Sequence, residues 1–483
     1  MTVVNEPPRL RLPAKLAYAA GGIPNIIEQR GLSTFLLIFY NQVVGLAPQV
    51  VATVLLITSC VDALLDPVIG QVSDNFRSRW GRRHPFIYAA ALPVAAAYLL
   101  IWCPPHVHAN LLFVYLLVLL LAVRLFSACF ELPASALLPE LTSNYDERTT
   151  IISLRMMLGL LGGLGLTMLA YRVFLKENPD GSGGVLARDG YFSYGLTAAL
   201  LIAGAIVLAG VGTHSRIPYL SKPPARRATL RTMLREVAAT VNNRSFVALL
   251  VINLLMSTAS GAKAALELYF SIYFWGLTQV QMANLVGASF VGIILGFALA
   301  PALSRRVGKR NAAACMIACG MFGVAGPVLA RLAGIMPANG TAALFAILLA
   351  DVTFTICVAT GNAILLTALL NDVVEDVAVR TGRRSEGLLL AADSLSRKVV
   401  SSGGILISGW MLALIAFPQK AERGTVPPEI VAKLAYAYIP MVIVYLLAFC
   451  VLFLYRIDRG VHESNLRTLR LRAEQAGSAS ATR

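Results

Sequence analysis

The chain has 483 residues, of which 57% are hydrophobic and only 14% charged, with a mean hydropathy of +0.70. Soluble domains carry about 25% charged residues, so a soluble protein with a single anchor is excluded and a polytopic membrane protein is expected. The net charge of +16 does not point to nucleic acid: the basic residues cluster in short segments between apolar stretches, and no RNA- or DNA-binding motif accompanies them.

Residues 1–15 are polar and basic, with Pro7, Pro8 and Pro13. No cleavable signal peptide is expected there, so the first apolar segment should stay as a membrane helix. A spanning helix needs about 20 apolar residues. Twelve candidates follow, centred near Ile27, Leu56, Leu92, Leu120, Leu161, Leu201, Leu255, Val291, Met321, Val352, Ser401 and Ile443. The longest polar break divides them into an amino-terminal six-helix half (1–213), a cytoplasmic central loop (214–243) and a carboxy-terminal six-helix half (244–455). A basic cytoplasmic tail (456–483) completes the chain. The connections 41–48, 104–110 and 278–281 carry no Lys or Arg, whereas the loops 77–83, 214–243 and 305–310 and both terminal segments are rich in them. Both termini should therefore face the cytoplasm of a cell whose inner (plasma) membrane holds the protein. The seven cysteines lie mostly in or beside apolar segments without CxxC spacing, which fits small packing residues rather than a metal site.

A weak internal repeat links the halves. Gly81-Arg82-Arg83 joins the second and third helices, and Gly308-Lys309-Arg310 joins the eighth and ninth, at the same place in each half. Parallel six-helix repeats describe the major facilitator fold. The fold class expected is thus an all-α membrane protein of twelve transmembrane helices in two halves.

Charged residues inside the bilayer are costly and mark function or mutual pairing. Asp62 and Asp66 lie one turn apart on one face of the second helix, near or just below mid-membrane. Two such carboxylates take up a proton or hold a cation between them, which points to a coupling site for H⁺ or Na⁺; if Na⁺, these two acids are the metal ligands. The alternative is a pair of salt bridges to basic residues of neighbouring helices. Glu28, Arg30, Arg124, Glu131, Arg155, Lys263, Glu267, Asp351, Asp393, Arg397 and Lys398 are the other intramembrane charges. Lys263 with Glu267 and Asp393 with Arg397 are spaced to neutralise one another. Lys398 has no acid one turn away on its own helix, which makes it the candidate partner of the amino-terminal acids. Asp74, Arg82 and Arg83, at the cytoplasmic end of the second helix and in the loop after it, are expected to brace an inner gate. The cluster Tyr269, Phe270, Tyr273, Phe274 and Trp275 fits interfacial anchoring.

Together these residues resemble the glycoside–pentoside–hexuronide:cation symporter family. The similarity is carried by Lys15-Leu16-Ala17-Tyr18, by Tyr40-Asn41-Gln42-Val43-Val44-Gly45-Leu46, and most specifically by the segment from Asp62 to Pro85. Glu131-Leu132-Pro133, Leu137-Leu138-Pro139, Arg155, and Ser385-Glu386 followed by Lys398-Val399-Val400 extend it. The resemblance implies alternating-access symport of a glycoside or small oligosaccharide with a cation. Asp62 and Asp66 would be the cation carboxylates, Glu131 and Arg155 would hold substrate hydroxyls, and Lys398 would link the two sites. The family's sugar-binding acid on helix one falls at Ile26 here, leaving Asn25 and Glu28 as the nearest polar neighbours; both, with Asp393, are candidate substrate contacts. Leu65 and Ala128 stand where neutral oxygen ligands would assist a cation, which tilts the expectation toward H⁺. Beside the sugar carrier stand a carrier of a non-sugar amphiphile such as a lysolipid, a proton-coupled drug exporter, and a non-transporting membrane sensor. No nucleophile–base pair, metal cluster or phosphate loop speaks for an enzyme. No cofactor beyond the coupling cation, a small-molecule substrate, the lipid bilayer as surroundings and a monomeric state are expected.

Overall fold

A computed structural model describes residues 10–142, 144–177, 183–219, 244–381, 386–422, 424–436 and 439–455, with Ser464, Arg467 and Thr468. The side chains of residues 386–399 are not among those described, and the central loop from Leu220 onward and most of the segment 456–483 lie outside them. Among the described residues the secondary structure is helical, apart from one isolated antiparallel bridge between Glu177 and Gly183.

The first apolar stretch is broken. Gly21 and Gly22 separate α1 (Leu12–Ala20) from α2 (Ile23–Thr34), which opens with Pro24 in its first turn, where a missing N–H costs nothing. A single turn, α3 (Leu36–Ile38), runs into a π-helical segment, Phe39–Val44, closed by Gly45 at φ +93°. Then follow α4 (Pro48–Asn75), α5 (His84–Ile101), α6 (Ala109–Leu141), α7 (Tyr145–Leu169) and α8 (Asp189–His214). Asn144 caps α7 by accepting the Glu147 backbone N–H at 3.0 Å, and Asp146 and Glu147 complement its amino-terminal dipole. The remaining helices are α9 (Arg244–Tyr269), α10 (Gln279–Val307), α11 (Lys309–Leu332), α12 (Ala342–Thr381), α13 (Glu386–Leu414), α14 (Pro428–Tyr436) and α15 (Ile439–Leu452). Among the described residues, ten helical stretches are long and apolar enough to cross a membrane. The first expected span is instead the broken run of α1 to Val44, and the eleventh contributes the shorter apolar stretch Val400–Leu414.

The chain forms two compact units. One comprises Met1–Arg227, Ala264–Val286 and Ile405–Val431; the other comprises Ala228–Lys263, Gly287–Gly404 and Ala432–Arg483. In the first unit α6 packs along α4 and α5, α8 along α5, and α2 against α7. Glycines permit the α2–α7 approach: a Cβ at Gly159 would lie 2.8 Å from the Gly22 carbonyl oxygen, and one at Gly22 would overlap the Arg155 carbonyl. Phe35, Phe39, Trp102, Tyr191 and Tyr194 fill the centre with edge-on and stacked rings. In the second unit, Phe246, Leu249, Ile252, Ala312, Met316, Leu365, Leu369 and Val373 pack into one buried apolar core.

Candidate functional site

The site is built by five helices of the first unit, α1, α2, α4, α6 and α7, whose polar side chains meet. On α6, Arg124, Ser127 and Glu131 recur at three- and four-residue intervals, which places them on one face. Pro133 withholds the N–H that would bond the Cys129 carbonyl, and Pro67 does the same for Ala63 beside Asp62 and Asp66, loosening both helices at the site.

Glu131 and Arg155 meet. The Arg155 Nη2 donates to Glu131 Oε2 at 2.8 Å, and its Nη1 donates to the Tyr18 hydroxyl at 3.1 Å. The guanidinium also lies over the Tyr18 ring, 5.4 Å from its centroid. Tyr18 in turn donates to the Ala134 carbonyl at 2.9 Å, so the pair is held from α1 and α6 at once. The Arg155 side chain is 14% exposed and that of Glu131 is 34% exposed, so the pair presents one open carboxylate beside a fixed guanidinium.

Glu28 is buried on α2 and accepts a hydrogen bond from Ser127 Oγ at 2.6 Å. Arg124, Glu131 and Asp62 all lie within its electrostatic reach. Arg124 Nε is buried and finds no hydrogen-bond acceptor among the described residues. Asp62 is buried and Asp66 is half-buried one turn further along α4. The expected coupling acid Asp62 and the expected substrate residues Glu28, Glu131 and Arg155 are thus neighbours in one polar cluster. Asn25 is exposed and takes no part in its hydrogen bonds. The side chains of Asp393 and Lys398 lie outside the described residues.

The basic loop after α4 forms a second constellation. Arg82 contacts Glu140, Arg83 reaches Glu140 at 3.1 Å and Asp74 at 3.3 Å, and Arg83 also donates to the Ala136 carbonyl. Burial lowers the pKa of Arg83, which Glu140 and then Asp74 oppose. Gly81, at φ +76°, turns the chain into this arrangement. The second unit repeats it: Gly308 at φ +83° precedes Lys309, whose Nζ binds both Asp372 oxygens at 2.7 and 2.9 Å.

At the opposite end of the first unit, Asn41 and Gln42 sit buried in the first π-helical segment. The Gln42 amide donates to the Pro418 carbonyl at 3.0 Å and accepts the Ala421 backbone N–H at 2.8 Å and the Tyr273 hydroxyl at 3.4 Å. Asn41 accepts the Tyr269 hydroxyl at 2.8 Å. The aromatic cluster of 269–275 is therefore not an interfacial belt: all five rings are buried, and the two tyrosines use their hydroxyls on helix-one amides. A second π-helical segment, Phe270–Phe274, carries Tyr273.

Sequence reasoning missed Ser127, Tyr18 and Glu140 as site residues, and counted Arg124 only as an intramembrane charge. Ser127 was detectable from its four-residue offset from Glu131; Glu140 followed Pro139 at a helix end and carried no such signal.

Residues 17–459 match the family described as MFS/sugar transport protein. An uncharacterised symporter of Synechocystis sp. is 33% identical over 239 residues, covering 48% of this chain and 43% of that protein. The isoprimeverose transporter of Lactiplantibacillus pentosus is 24% identical over 58% of this chain and 56% of its own, so the chain spans about half the length of these two relatives. A putative glycoside/cation symporter of Escherichia coli (strain K12) is 23% identical over 97% of each chain. Among solved structures, the nucleoside transporter NupG superposes with a TM-score of 0.63 at 11% identity, over 92% of this chain and 100% of its own, which shows the fold alone. With its family match running almost from end to end, the chain belongs to the MFS/sugar transport proteins as a multi-pass membrane transporter, in agreement with its resemblance to the glycoside–pentoside–hexuronide:cation symporters.

Proposed function

We propose that this protein is a secondary active transporter that imports a glycoside or small oligosaccharide by symport with a cation, H⁺ in preference to Na⁺. The observation that carries the proposal is the Glu131–Arg155 pair standing beside the buried acids Glu28 and Asp62. A half-open carboxylate next to a fixed guanidinium offers both acceptor and donor to adjacent hydroxyls, the pattern sugars present. A cluster richer in acids than in bases takes up positive charge, and binding it changes the electrostatics that the solute meets. The names of the relatives, symporters of glycoside and isoprimeverose type, support the same class. Leu65 and Ala128 add no oxygen ligands beside Asp62, and a proton, unlike Na⁺, needs only one carboxylate.

In this proposal the protein is a carrier and not an enzyme, sits in the inner (plasma) membrane with both termini cytoplasmic, and works as a monomer. The halves 1–213 and 244–455 alternate about the site. Asp62 and Asp66 bind the cation with Lys398 as their partner. Glu131 and Arg155 hold the solute, with Asn25 and Asp393 as further contacts. The Asp74–Arg83–Glu140 cluster braces the gate on the cytoplasmic side. The test is solute-evoked proton movement in proteoliposomes across a panel of glycosides, with and without Na⁺, beside an Asp62→Asn, Asp66→Asn double variant. Alkalinisation of the weakly buffered external medium without Na⁺, absent in the variant, is the expected result. A glycoside-independent signal, or specific binding of an amphiphile alone, refutes the sugar assignment.

A further inference from the structure

The carboxylates of the cluster differ in what holds them. Glu131 is bound by the guanidinium of Arg155, a group that is charged at every physiological pH and has only hydrogens to give. Such a partner donates to Glu131 and can accept no hydrogen bond from it. Glu28 is held by a hydroxyl. A serine Oγ donates to a carboxylate and accepts from a carboxylic acid with equal ease, so Ser127 serves Glu28 in both protonation states without any side chain moving away. The same cluster therefore contains one acid whose partner can only donate and one whose partner suits both the charged and the neutral form.

Several helices supply the surroundings of Glu28. From α4 comes Asp62, from α6 Arg124 and Glu131, and from α5 the hydroxyl of Tyr98, all acting on it. Tyr98 is tied to the Ile27 carbonyl at 3.4 Å and to Tyr194 of α8 at 3.2 Å, and α7 brings Arg155, already engaged with Glu131 and Tyr18. Glu28 is also firmly placed. Gly22 seats the start of α2 on the Arg155 backbone, and a Cβ at Gly31 would overlap the Tyr98 hydroxyl, so α2 has no slack on either side of it.

We propose that Glu28, held by Ser127 and facing Asp62 across the α2–α4–α6 cluster, is a third acid of the cation site proposed above, sharing the coupled proton with Asp62 and Asp66 rather than contacting the solute. The assignment rests on the symport proposed above and replaces the expectation that Glu28 binds substrate. The cycle is balanced: one proton enters from one side of the membrane onto the carboxylates of Glu28, Asp62 and Asp66 with the solute, passing between them through Glu28, and leaves on the other side after solute release, restoring the carboxylates.

The test compares wild type and Glu28→Gln in proteoliposomes. Gln accepts the Ser127 hydrogen bond and takes up no proton. Solute-evoked alkalinisation and accumulation driven by a pH gradient are expected to fall at least tenfold, while exchange of labelled for unlabelled solute at equal pH persists. Glu28→Asp, which keeps a carboxyl group, is expected to retain measurable coupling. Accumulation by Glu28→Gln at the wild-type ratio overturns the assignment and leaves the symport proposal standing. A wild type that moves glycoside without moving protons refutes proton coupling and the role of Glu28 with it. Infrared difference spectra on acidification give a readout independent of Glu28→Gln folding: in Ser127→Ala the carboxylic C=O band of Glu28 should shift, and a spectrum identical to wild type overturns the inference.

Discussion

The amide of Gln42 offers the most direct test of what closes one end of the first unit. Gln42→Ala deletes a buried side chain that bonds Pro418, Ala421 and Tyr273 and also donates to Asn41. The Ala421 N–H and Pro418 carbonyl are left without these partners, and a buried backbone group without its hydrogen bond costs about 1–3 kcal/mol. With water reaching part of the gap, the net loss is about 3 kcal/mol. In the proposed alternating-access cycle this loss falls on the state that holds these contacts, because they join the helix-one end to the segments 269–275 and 417–421 of the proposed carboxy-terminal half. At about 1.4 kcal/mol per factor of ten, the ratio of open to closed states should rise about 10²-fold. Maleimide labelling of an Ala421→Cys reporter, in a background lacking the seven native cysteines, reads this ratio; the substitution leaves the backbone N–H of that residue in place. The labelling rate should rise by the same order in Gln42→Ala, with the thermal midpoint much less affected. A change below about threefold refutes the role of this amide in closure.

Arg155→Lys should lower apparent solute affinity at least tenfold while changing the thermal midpoint little. One ammonium cannot serve Glu131 and Tyr18 together as the guanidinium does, whereas an ion pair whose acid is 34% exposed contributes only about 1 kcal/mol or less to stability. Counterflow kinetics with wild-type KM in this variant would contradict the solute-binding role. Gly22→Ala should destabilise by about 1–3 kcal/mol or more through overlap with the Arg155 carbonyl, while Gly165→Ala, where a Cβ meets nothing within 4 Å, should be neutral. Equal shifts for the two in detergent thermal unfolding would show that the close α2–α7 approach is not required.

The spans and the charged residues within them were legible because a bilayer makes both conspicuous: apolar runs of fixed length, and ionisable groups too costly to be incidental. The pairings were not. Arg124 and Glu131 share a face of α6, yet Glu131 is claimed by Arg155 of another helix, and helix spacing says nothing about which helices cross. Ser127 and Tyr18 were passed over as site residues because a hydroxyl in an apolar run is inexpensive and common, although Ser127 shares a face with Glu131; only the crossing of α1, α2 and α6 shows what they hold. The break at Gly21-Gly22 was not read from the sequence, where the first span was taken as continuous around Ile27, and the π-helical segments leave no compositional mark, since they add only an extra residue per turn. The aromatics of 269–275 misled because ring enrichment at a helix end fits a lipid interface and a buried packing cluster equally well until their hydroxyl partners are known.

The two units are alike where they brace loops and unlike where they carry charge. Gly81 with Arg83–Glu140 and Gly308 with Lys309–Asp372 repeat one design, a left-handed glycine followed by a base that pairs with an acid at the end of a long helix. Within the bilayer the likeness ends. The first unit gathers Glu28, Asp62, Arg124, Glu131 and Arg155 into one cluster, whereas the described residues of the second unit bring Lys263 within reach of Asp351 as a simpler opposite-charge set. If both repeats shared the chemistry equally, cation and solute would meet only when the halves closed on each other. In the proposed cycle, concentrating the acids and the Arg155 guanidinium in one unit instead lets a proton alter the field at the solute contacts before any large movement, because Glu28 bonds Ser127 of α6, the helix that carries Glu131, and lies within electrostatic reach of Glu131. In the proposed cycle coupling would then precede closure: neutralising Glu28 weakens the repulsion it exerts on Glu131, so the Glu131–Arg155 pair offered to the solute depends on whether the proton has arrived.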